Sequence, residues 1–221
     1  MRSRSIHRRV AFLLQGLLLL GALASLWQQQ WMPAAITLAI VALTLLPLML
    51  EKRFGVFIPA ELEALAIAFV FASLFLGEVR GYYTRFWWWD IALHTSSGFL
   101  LGIVGFLMAH VLNEVETIGV RMKPGFVASF AFLFSLGIGA LWEVFEFSMD
   151  RLAGTNMQKP MLGDPSGLTD TMWDLIVDAV GALVIAVLGY GYLRTAHNRS
   201  FLERWIHDFV RRNPRFFRHL D

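Results

Sequence analysis

The sequence has no cysteine and few charged residues. Of its 221 residues, 16% are Asp, Glu, Lys or Arg, whereas soluble domains usually contain about 25%. Without cysteine, the chain can form neither a disulfide framework nor a thiolate metal site. It also lacks the G-x-S-x-G, Walker, H-E-x-x-H and Rossmann signatures. The enzyme classes that depend on those motifs are therefore not indicated.

Hydrophobic residues make up 57% of the chain, and they are grouped in blocks. Blocks of about 17–25 apolar residues are long enough to cross a hydrocarbon layer about 30 Å thick. The basic N-terminus before the first block is also typical of a signal peptide, but no cleavage site follows it and further apolar blocks do. We therefore expect an all-α polytopic bundle of six transmembrane helices, at about 10–27, 33–50, 59–76, 89–112, 126–150 and 169–193.

The distribution of Lys and Arg predicts the orientation of these spans. With both termini cytoplasmic, fifteen basic residues lie inside and four lie outside, which is the bias expected of inner-membrane proteins. The outer four are Arg80, Arg85, Arg151 and Lys159. They are expected to anchor lipid headgroups or to attract an anionic group to a site. The prediction is an N-in, C-in protein of the bacterial inner membrane.

The last part of the chain has a different pattern. In the segment 201–212, apolar residues fall on one helical face and basic residues on the other, which is typical of a helix lying on a membrane surface. We expect a transmembrane domain at 1–196 and a basic amphipathic cytoplasmic tail at 197–221. The basic residues flank membrane spans, so the expected partners are membrane lipids rather than nucleic acid.

Acidic residues lie within three of the predicted spans. At 100° per residue, Glu143, Glu146 and Asp150 fall within about 60° on one side of the fifth span. The fourth span carries Asp90 and His94, and the sixth carries acids at four-residue spacing, namely Asp170, Asp174 and Asp178. In the predicted topology all three sets lie near the outer face. Acids at membrane depth usually face a bundle interior, water, a cation or a proton path.

Several carboxylates cannot all stay ionised at close range without positive charge between them. A divalent metal ion supplies that charge, and oxygen ligands with one imidazole suit zinc, manganese or iron, while oxygens alone suit magnesium or calcium. The expected metal ligands are His94, Glu143, Glu146, Asp170 and Asp174. Asp90 and Asp178 are the candidate catalytic or orienting groups. Supporting or headgroup contacts are expected from Asp150, Gln158, Arg80, Arg85 and Arg151.

A structural interpretation stands beside the functional one. Asp90 and Asp170 are also favourable near a helix N-terminus, where the helix dipole stabilises negative charge. Asp150 is also an ordinary interfacial acid beside Arg151. Protonated acids hydrogen-bonded between helices would satisfy the electrostatics without a metal. Gly98 and Gly102 form a G-x-x-x-G pattern that predicts close helix approach by the fourth span.

Four motifs carry a family resemblance. They are D-x-x-x-H-x-S-x-G at 90–98, W-E-x-x-E-x-x-x-D at 142–150, N-M-Q at 156–158 and D-T-x-x-D-x-x-x-D-x-x-G at 170–181. In this order they resemble the YjdF-type family of bacterial inner-membrane proteins, which is distantly similar to VanZ-like proteins. VanZ-like proteins tend to carry Gln, Arg and Asn where this chain has acids. The resemblance implies an inner-membrane location and the importance of these motifs, and it supplies no reaction.

The leading hypothesis is a metal-dependent hydrolase or transferase that acts on a lipid or lipid-linked headgroup at the outer face, with the segment 151–168 as its lid. A divalent-cation or proton-coupled transporter that uses the same acids is the second. The residues after Asp178 are apolar, which favours a one-sided pocket over a channel. The third hypothesis is a non-catalytic partner subunit whose acids hold the helices together.

Overall fold

A computed structural model describes residues 2–55, 58–114, 122–194 and 211–212. These residues form two compact units, the first within 1–89 together with 211–212 and the second within 90–194. The boundary predicted at 196/197 and the amphipathic tail, apart from the helical Arg211 and Arg212, lie outside the described residues. The described secondary structure is helical, apart from an isolated bridge between Met161 and Asp164.

Helices in the first unit follow the first three predicted spans. They are α1 (Arg2–Trp27), α2 (Trp31–Thr44), α3 (Leu46–Phe54), α4 (Ala60–Val70) with a π-helical continuation (Phe71–Val79), and α5 (Tyr82–Arg85). Helix α1 packs on α2 and α4. The core of this unit includes Leu18, Ile40 and Ile67, each at most 3% exposed.

The second predicted span is divided between two helices. Helix α2 ends at Thr44 and α3 begins at Leu46, with Pro47 in its first turn. Proline has no N–H to donate within a helix, and its ring crowds the carbonyl four residues earlier, so an interruption here is expected. Inside the unit, Gln15 of α1 donates its side-chain amide to the Thr44 carbonyl oxygen at 3.3 Å.

The second unit consists of three long helices. They are α6 (Trp89–Glu114, of which Trp89 is the last residue of the first unit), α7 (Pro124–Ala153) and α8 (Leu168–Arg194). Helix α7 begins at Pro124, a position that tolerates the missing N–H, and is followed by Gly154 in the left-handed conformation. Phe106, Val127 and Ile185 are completely buried in its core.

Glycines bring α6 against α8, as the G-x-x-x-G pattern predicts. A Cβ atom on Gly98 would collide with the backbone oxygen of Asp178, and one on Gly181 would collide with the Thr95 oxygen. A Cβ on Gly102 would lie 3.1 Å from the Ile185 Cβ. The close approach is confirmed, and it fixes the level at which the acids of α8 meet those of α6.

Five described helices are long and apolar enough to cross a membrane, at Arg9–Trp27, Ala60–Val79, Trp89–His110, Pro124–Ala153 and Leu168–Arg194. Helix α2, with 14 residues, is shorter than a usual span. The multi-pass helical architecture is therefore confirmed. The sixth span and the orientation of the termini stay predictions.

Candidate functional site: a carboxylate and histidine cluster

Helices α6, α7 and α8 bring their acidic residues together inside the second unit. The centre of the cluster is His94 of α6, which is 8% exposed. Around it lie Asp90 of the same helix, Glu143 of α7, and Asp174 and Asp178 of α8. The sequence predicts this convergence from helical spacing and topology, and the four-residue step from Asp90 to His94 places both on one side of α6.

The two nitrogens of the His94 ring have different surroundings. Nδ1 lies 3.3 Å from Oδ2 of Asp178. Nε2 faces three other carboxylates, with distances of 3.8 Å to Asp90 Oδ1, 3.9 Å to Glu143 Oε1 and 3.9 Å to Asp174 Oδ2. One ring nitrogen is therefore held by a single carboxylate, while the other faces a group of three.

Asp178 is fixed from several directions. Its Oδ1 accepts a hydrogen bond of 2.7 Å from the Ser97 hydroxyl, which also approaches the His94 carbonyl oxygen at 2.8 Å. On α7, Gly139 leaves space for the Asp178 carboxylate, because a Cβ there would collide with Oδ2. The side chain of Asp178 is 1% exposed. Asp178 therefore holds the imidazole ring in a defined orientation.

Two buried carboxylates of the cluster accept no hydrogen bond of ordinary geometry among the described residues. Both oxygens of Glu143 and both oxygens of Asp174 are inaccessible and unsatisfied in this sense, although the Thr171 hydroxyl of α8 approaches Glu143. Their side chains are 4% and 1% exposed. Burying an unpartnered carboxylate is costly unless it binds a cation or is protonated. The arrangement therefore favours a positive charge or a proton between these side chains.

Glu146 and Asp170 are also buried, but each has a partner. Oε1 of Glu146 accepts a hydrogen bond of 2.9 Å from the Trp142 indole nitrogen, one turn earlier on α7. Oδ2 of Asp170 accepts one of 2.7 Å from the backbone N–H of Lys159. These contacts use one oxygen of each carboxylate and tie the two residues to the edge of the cluster.

Asp150 of α7 and Gln158 hold the connection between α7 and α8. Asp150 accepts hydrogen bonds from the Thr155 hydroxyl at 2.6 Å, the Met157 N–H at 2.7 Å and the Gln158 N–H at 2.9 Å. The Gln158 amide in turn donates to the Thr171 hydroxyl at 2.7 Å. Asp150 and Gln158 thus order the loop that follows α7, and the supporting roles expected for them at the site stay predictions.

Asp164 orders the start of α8. It accepts hydrogen bonds from the N–H groups of Ser166 and Thr169 and from the Thr169 hydroxyl, at 2.8, 3.0 and 2.8 Å. The contacts to Ser166, followed by those to Thr169, hold the pKa of this half-buried carboxyl well below its usual range. Helix α8 begins at Leu168, so Thr169 lies in its first turn, where its hydroxyl donates to Asp164.

Lys159 brings a cation to the rim of the cluster. Its ammonium nitrogen lies 3.7 Å from Oδ2 of Asp90 and donates to the Met157 carbonyl oxygen at 2.9 Å. The Lys159 side chain is 21% exposed and that of Asp90 is 14% exposed, so both are more accessible than Asp174. Ser97 is thus a contact residue that the sequence analysis did not single out, and Lys159, expected only as one of the outer cations, also contacts Asp90. The available sequence signals for these contacts are positions. Ser97 lies three residues after His94, and Lys159 directly follows the N-M-Q motif.

One group of ligand atoms is close enough to be considered for a metal ion. One atom each from Asp90, His94 and Asp174 lies within 4.8 Å of the others. This group contains two of the predicted ligands, His94 and Asp174, and adds Asp90, which was expected to be catalytic. Glu143 faces the same ring nitrogen, whereas Glu146 and Asp170 are engaged at the edge. The chemical roles stay predictions.

The three predicted arginines are distributed differently. Arg151 is exposed on α7 and its guanidinium carbon lies 5.2 Å from the centre of the Phe147 ring. Arg80 and Arg85 belong to the first unit. Their expected headgroup contacts stay predictions.

Comparisons with known proteins identify the family. The chain is similar to a protein of Thermotoga maritima described as "Uncharacterized protein", with 30% identity over 145 residues, which is 65% of this chain and 69% of the relative. No solved structure matches. A family model described as "Predicted membrane protein (DUF2238)" matches residues 7–195, which include the whole cluster. The chain therefore belongs to the DUF2238 family of predicted membrane proteins.

Proposed function

We propose that the cluster is a divalent metal centre within the membrane, and that the protein uses it as a hydrolase or transferase for a lipid or lipid-linked headgroup. The observation that carries the proposal is the asymmetric environment of His94. Its Nδ1 lies against Asp178, and its Nε2 faces three carboxylates, two of which are buried and accept no hydrogen bond of ordinary geometry among the described residues.

A histidine ligand usually donates its second ring N–H to a carboxylate or carbonyl oxygen, which fixes the tautomer and orients the lone pair of the ligand nitrogen. Asp178 stands in that position, and Ser97 orients Asp178. The Nε2 atom is then free to bind an ion together with Asp90 and Asp174, and Glu143 is the next nearest ligand. A mixed imidazole and carboxylate set suits zinc, manganese or iron.

The side chains need a small rearrangement to bind an ion. Atoms bound to one zinc ion at about 2.0–2.1 Å lie about 3.3 Å apart, and the ligand atoms here lie within 4.8 Å. The distances from His94 Nε2 to the nearest carboxylate oxygens, 3.8–3.9 Å, are close to that value. Small side-chain rotations of Asp90 and Asp174 would therefore complete the site.

The charge of the cluster supports binding of a cation before any substrate. Six carboxylates, Asp90, Glu143, Glu146, Asp170, Asp174 and Asp178, surround one imidazole and one ammonium. Such a site repels an anionic headgroup until positive charge is bound. A divalent ion held by Asp90, His94 and Asp174 would supply Lewis acidity toward water or toward a phosphoryl or acyl oxygen. Lys159, which is 21% exposed beside Asp90, would then contact the headgroup.

Transport of a cation or proton is the second candidate, and the same acids would serve it. The buried positions of α8 after Asp178 argue against a path through the unit, because they are Gly181, Ala182, Ile185, Ala186 and Gly189. Phe106 packs close enough to Gly189 to exclude a side chain there. Access from the Asp90 end, where that side chain is 14% exposed, fits an enzyme that works from one side.

The membrane location and the orientation of the protein belong to the same proposal. We assign the protein to the bacterial inner membrane, with cytoplasmic termini and the cluster at the outer face, from the distribution of basic residues. DUF2238 is YjdF-like, which agrees with the resemblance seen in the four motifs. The more distant similarity to VanZ-like proteins stays a proposal.

The deciding experiment is elemental analysis of the full chain, purified without chelator and reloaded with zinc, manganese or iron. We expect bound metal in the wild type and its loss in His94→Ala and Asp174→Asn. Glu51→Gln, which replaces an exposed carboxylate on α3, is the matched control and should keep the metal. Folding of each variant is checked by circular dichroism and gel filtration.

The possible results distinguish the enzyme, the transporter and the structural role of the acids. A metal-loaded protein that releases headgroups from lipids in nanodiscs supports the enzyme. Metal binding without turnover, together with metal flux into protein-containing vesicles, supports the transporter. A well-folded wild type that binds none of the three metals contradicts the metal centre. Poor folding of His94→Ala would then point to acids that hold the helices together.

A further inference from the structure

A second surface on α7 and α8 lies at the opposite ends of these helices from the acid cluster. There, the first turns of α7 pack beside the last turns of α8 and leave an apolar groove of about 480 Å³. Small residues such as Gly125, Ala128 and Ala186 form its lining, together with Leu183 and Val187. Leu183 is 53% exposed and Val187 is 61% exposed, so the groove faces outward from the unit.

The groove leads into a recess that carries two cations. This recess, of about 490 Å³, shares Gly125 and Tyr190 with the groove, and its lining includes Lys123 and Arg194. The Arg194 guanidinium donates to the Tyr190 hydroxyl at 3.1 Å, and its carbon lies 5.6 Å from the centre of that ring. Tyr190 therefore holds the arginine beside the recess. The described lining residues include no carboxylate.

We propose that the groove and the recess bind one anionic phospholipid, with an acyl chain along the groove and the phosphate between Lys123 and Arg194. The charge of the recess selects the occupant, because two cations with no acid in the described lining attract a phosphate and repel a cationic headgroup. The volumes fall within the roughly 300–1,000 Å³ of typical small-molecule sites. Lys123 and Arg194 lie at helix ends, where phospholipid headgroups meet a membrane span.

The orientation predicted from the basic residues agrees with this assignment. It places these ends of α7 and α8 on the cytoplasmic side, where the leaflet is rich in anionic lipid. The acid cluster lies at the other ends of the same helices, so lipid binding does not depend on the proposed metal chemistry. The two proposals can therefore fail separately.

Native mass spectrometry of the full chain tests the proposal, with phosphatidylglycerol and phosphatidylcholine of identical acyl chains as the added lipids. We expect the wild type to retain phosphatidylglycerol preferentially. Each removed cation should lower its retention about fivefold, so Lys123→Gln with Arg194→Gln should abolish the preference. Arg53→Gln, which removes an exposed arginine of α3 in the first unit, is the matched control and should keep it.

A second variant tests the apolar groove. Ser129→Trp places a large ring in the groove, where Ser129 is exposed, and should lower retention of both lipids while the metal content stays at the wild-type value. Equal retention of the two lipids by the wild type would overturn the proposal, as would an unchanged preference in the double variant. A wild-type dimer that Ser129→Trp dissociates would also overturn it, because the groove would then be an interface between copies. If the double variant does not fold, the lipid retention of the Lys123→Gln and Ser129→Trp variants tests the proposal instead.

Discussion

Nδ1 of His94 and Oδ2 of Asp178 lie 3.3 Å apart, although 84 residues separate them in the chain. The contact depends on close packing of α6, α7 and α8, since Gly98 admits the Asp178 backbone and Gly139 admits its carboxylate. The pair orients the other nitrogen of the ring toward Asp90, Glu143 and Asp174.

Asp178→Asn should weaken metal binding without removing the ligands. Loss of a carboxylate that orients a histidine ligand usually costs about 10- to 100-fold in metal affinity. Titration of the metal-free protein with zinc, followed by calorimetry, measures the change. Ser97→Ala should have a smaller effect in the same direction, because it removes one hydrogen bond to Asp178. An affinity equal to that of the wild type in a folded Asp178→Asn variant would show that Asp178 does not position the ring.

Gly139→Ala should destabilise the protein, whereas Gly137→Ala should not. The added methyl group at 139 would collide with the Asp178 carboxylate, while nothing lies within 4 Å of the same atom at 137. Overpacking of a filled site costs about 1–3 kcal/mol, and alanine within a helix is favoured over glycine by about 0.5–1 kcal/mol. Thermal unfolding in detergent compares the two variants. Equal transition temperatures would contradict the packing described here.

Lys159→Met should strengthen metal binding. The ammonium group lies 3.7 Å from Asp90 and competes with an ion for that carboxylate. A partly exposed ion pair contributes about 0.2–1 kcal/mol, so the affinity should rise up to about fivefold, and less at high salt. Zinc titration at two salt concentrations measures the effect. A lower affinity would instead mean that Lys159 acts mainly by ordering the loop.

Asp164→Asn should loosen the loop before α8 at neutral pH. The hydrogen bonds from Ser166 and Thr169 lower the pKa of Asp164 in the folded protein. Its contribution to stability is therefore fully present above the unfolded pKa of about 3.9 and is lost as the pH falls through the lower, folded pKa. Hydrogen exchange of the Ser166 and Thr169 amides at pH 7 should be faster in the variant. The difference in stability from the wild type should shrink below about pH 4, and a constant difference would contradict the assignment.

Sequence patterns predict most of the helices because the formation of a membrane-spanning helix depends on the local sequence. An apolar run of sufficient length forms a helix across the membrane, whatever lies beside it. The predicted spans at 89–112, 126–150 and 169–193 thus agree with α6, α7 and α8 to within two or three residues at most ends. The interruption near Pro47 was not predicted. It carries a clear sequence signal, since proline within a helical segment breaks the backbone hydrogen bonding.

The acid cluster is determined partly by the sequence and partly by the tertiary structure. Helical spacing determines that Asp90 and His94 share a side of α6, and that Asp170, Asp174 and Asp178 share a side of α8. Two consecutive antiparallel connections place the relevant helix ends at one level. The sequence alone therefore determines which acids meet, the low charge of their surroundings and the absence of thiolate ligands.

The tertiary structure decides how those residues are arranged. It places Asp178 on Nδ1 of His94 and Asp90 among the possible ligand atoms, and it brings Lys159 to Asp90 from a loop 69 residues away. These contacts depend on the rotation and depth at which the helices pack, to within a few ångströms. Glycine contacts between helices set both, and periodicity within one helix carries no information about them.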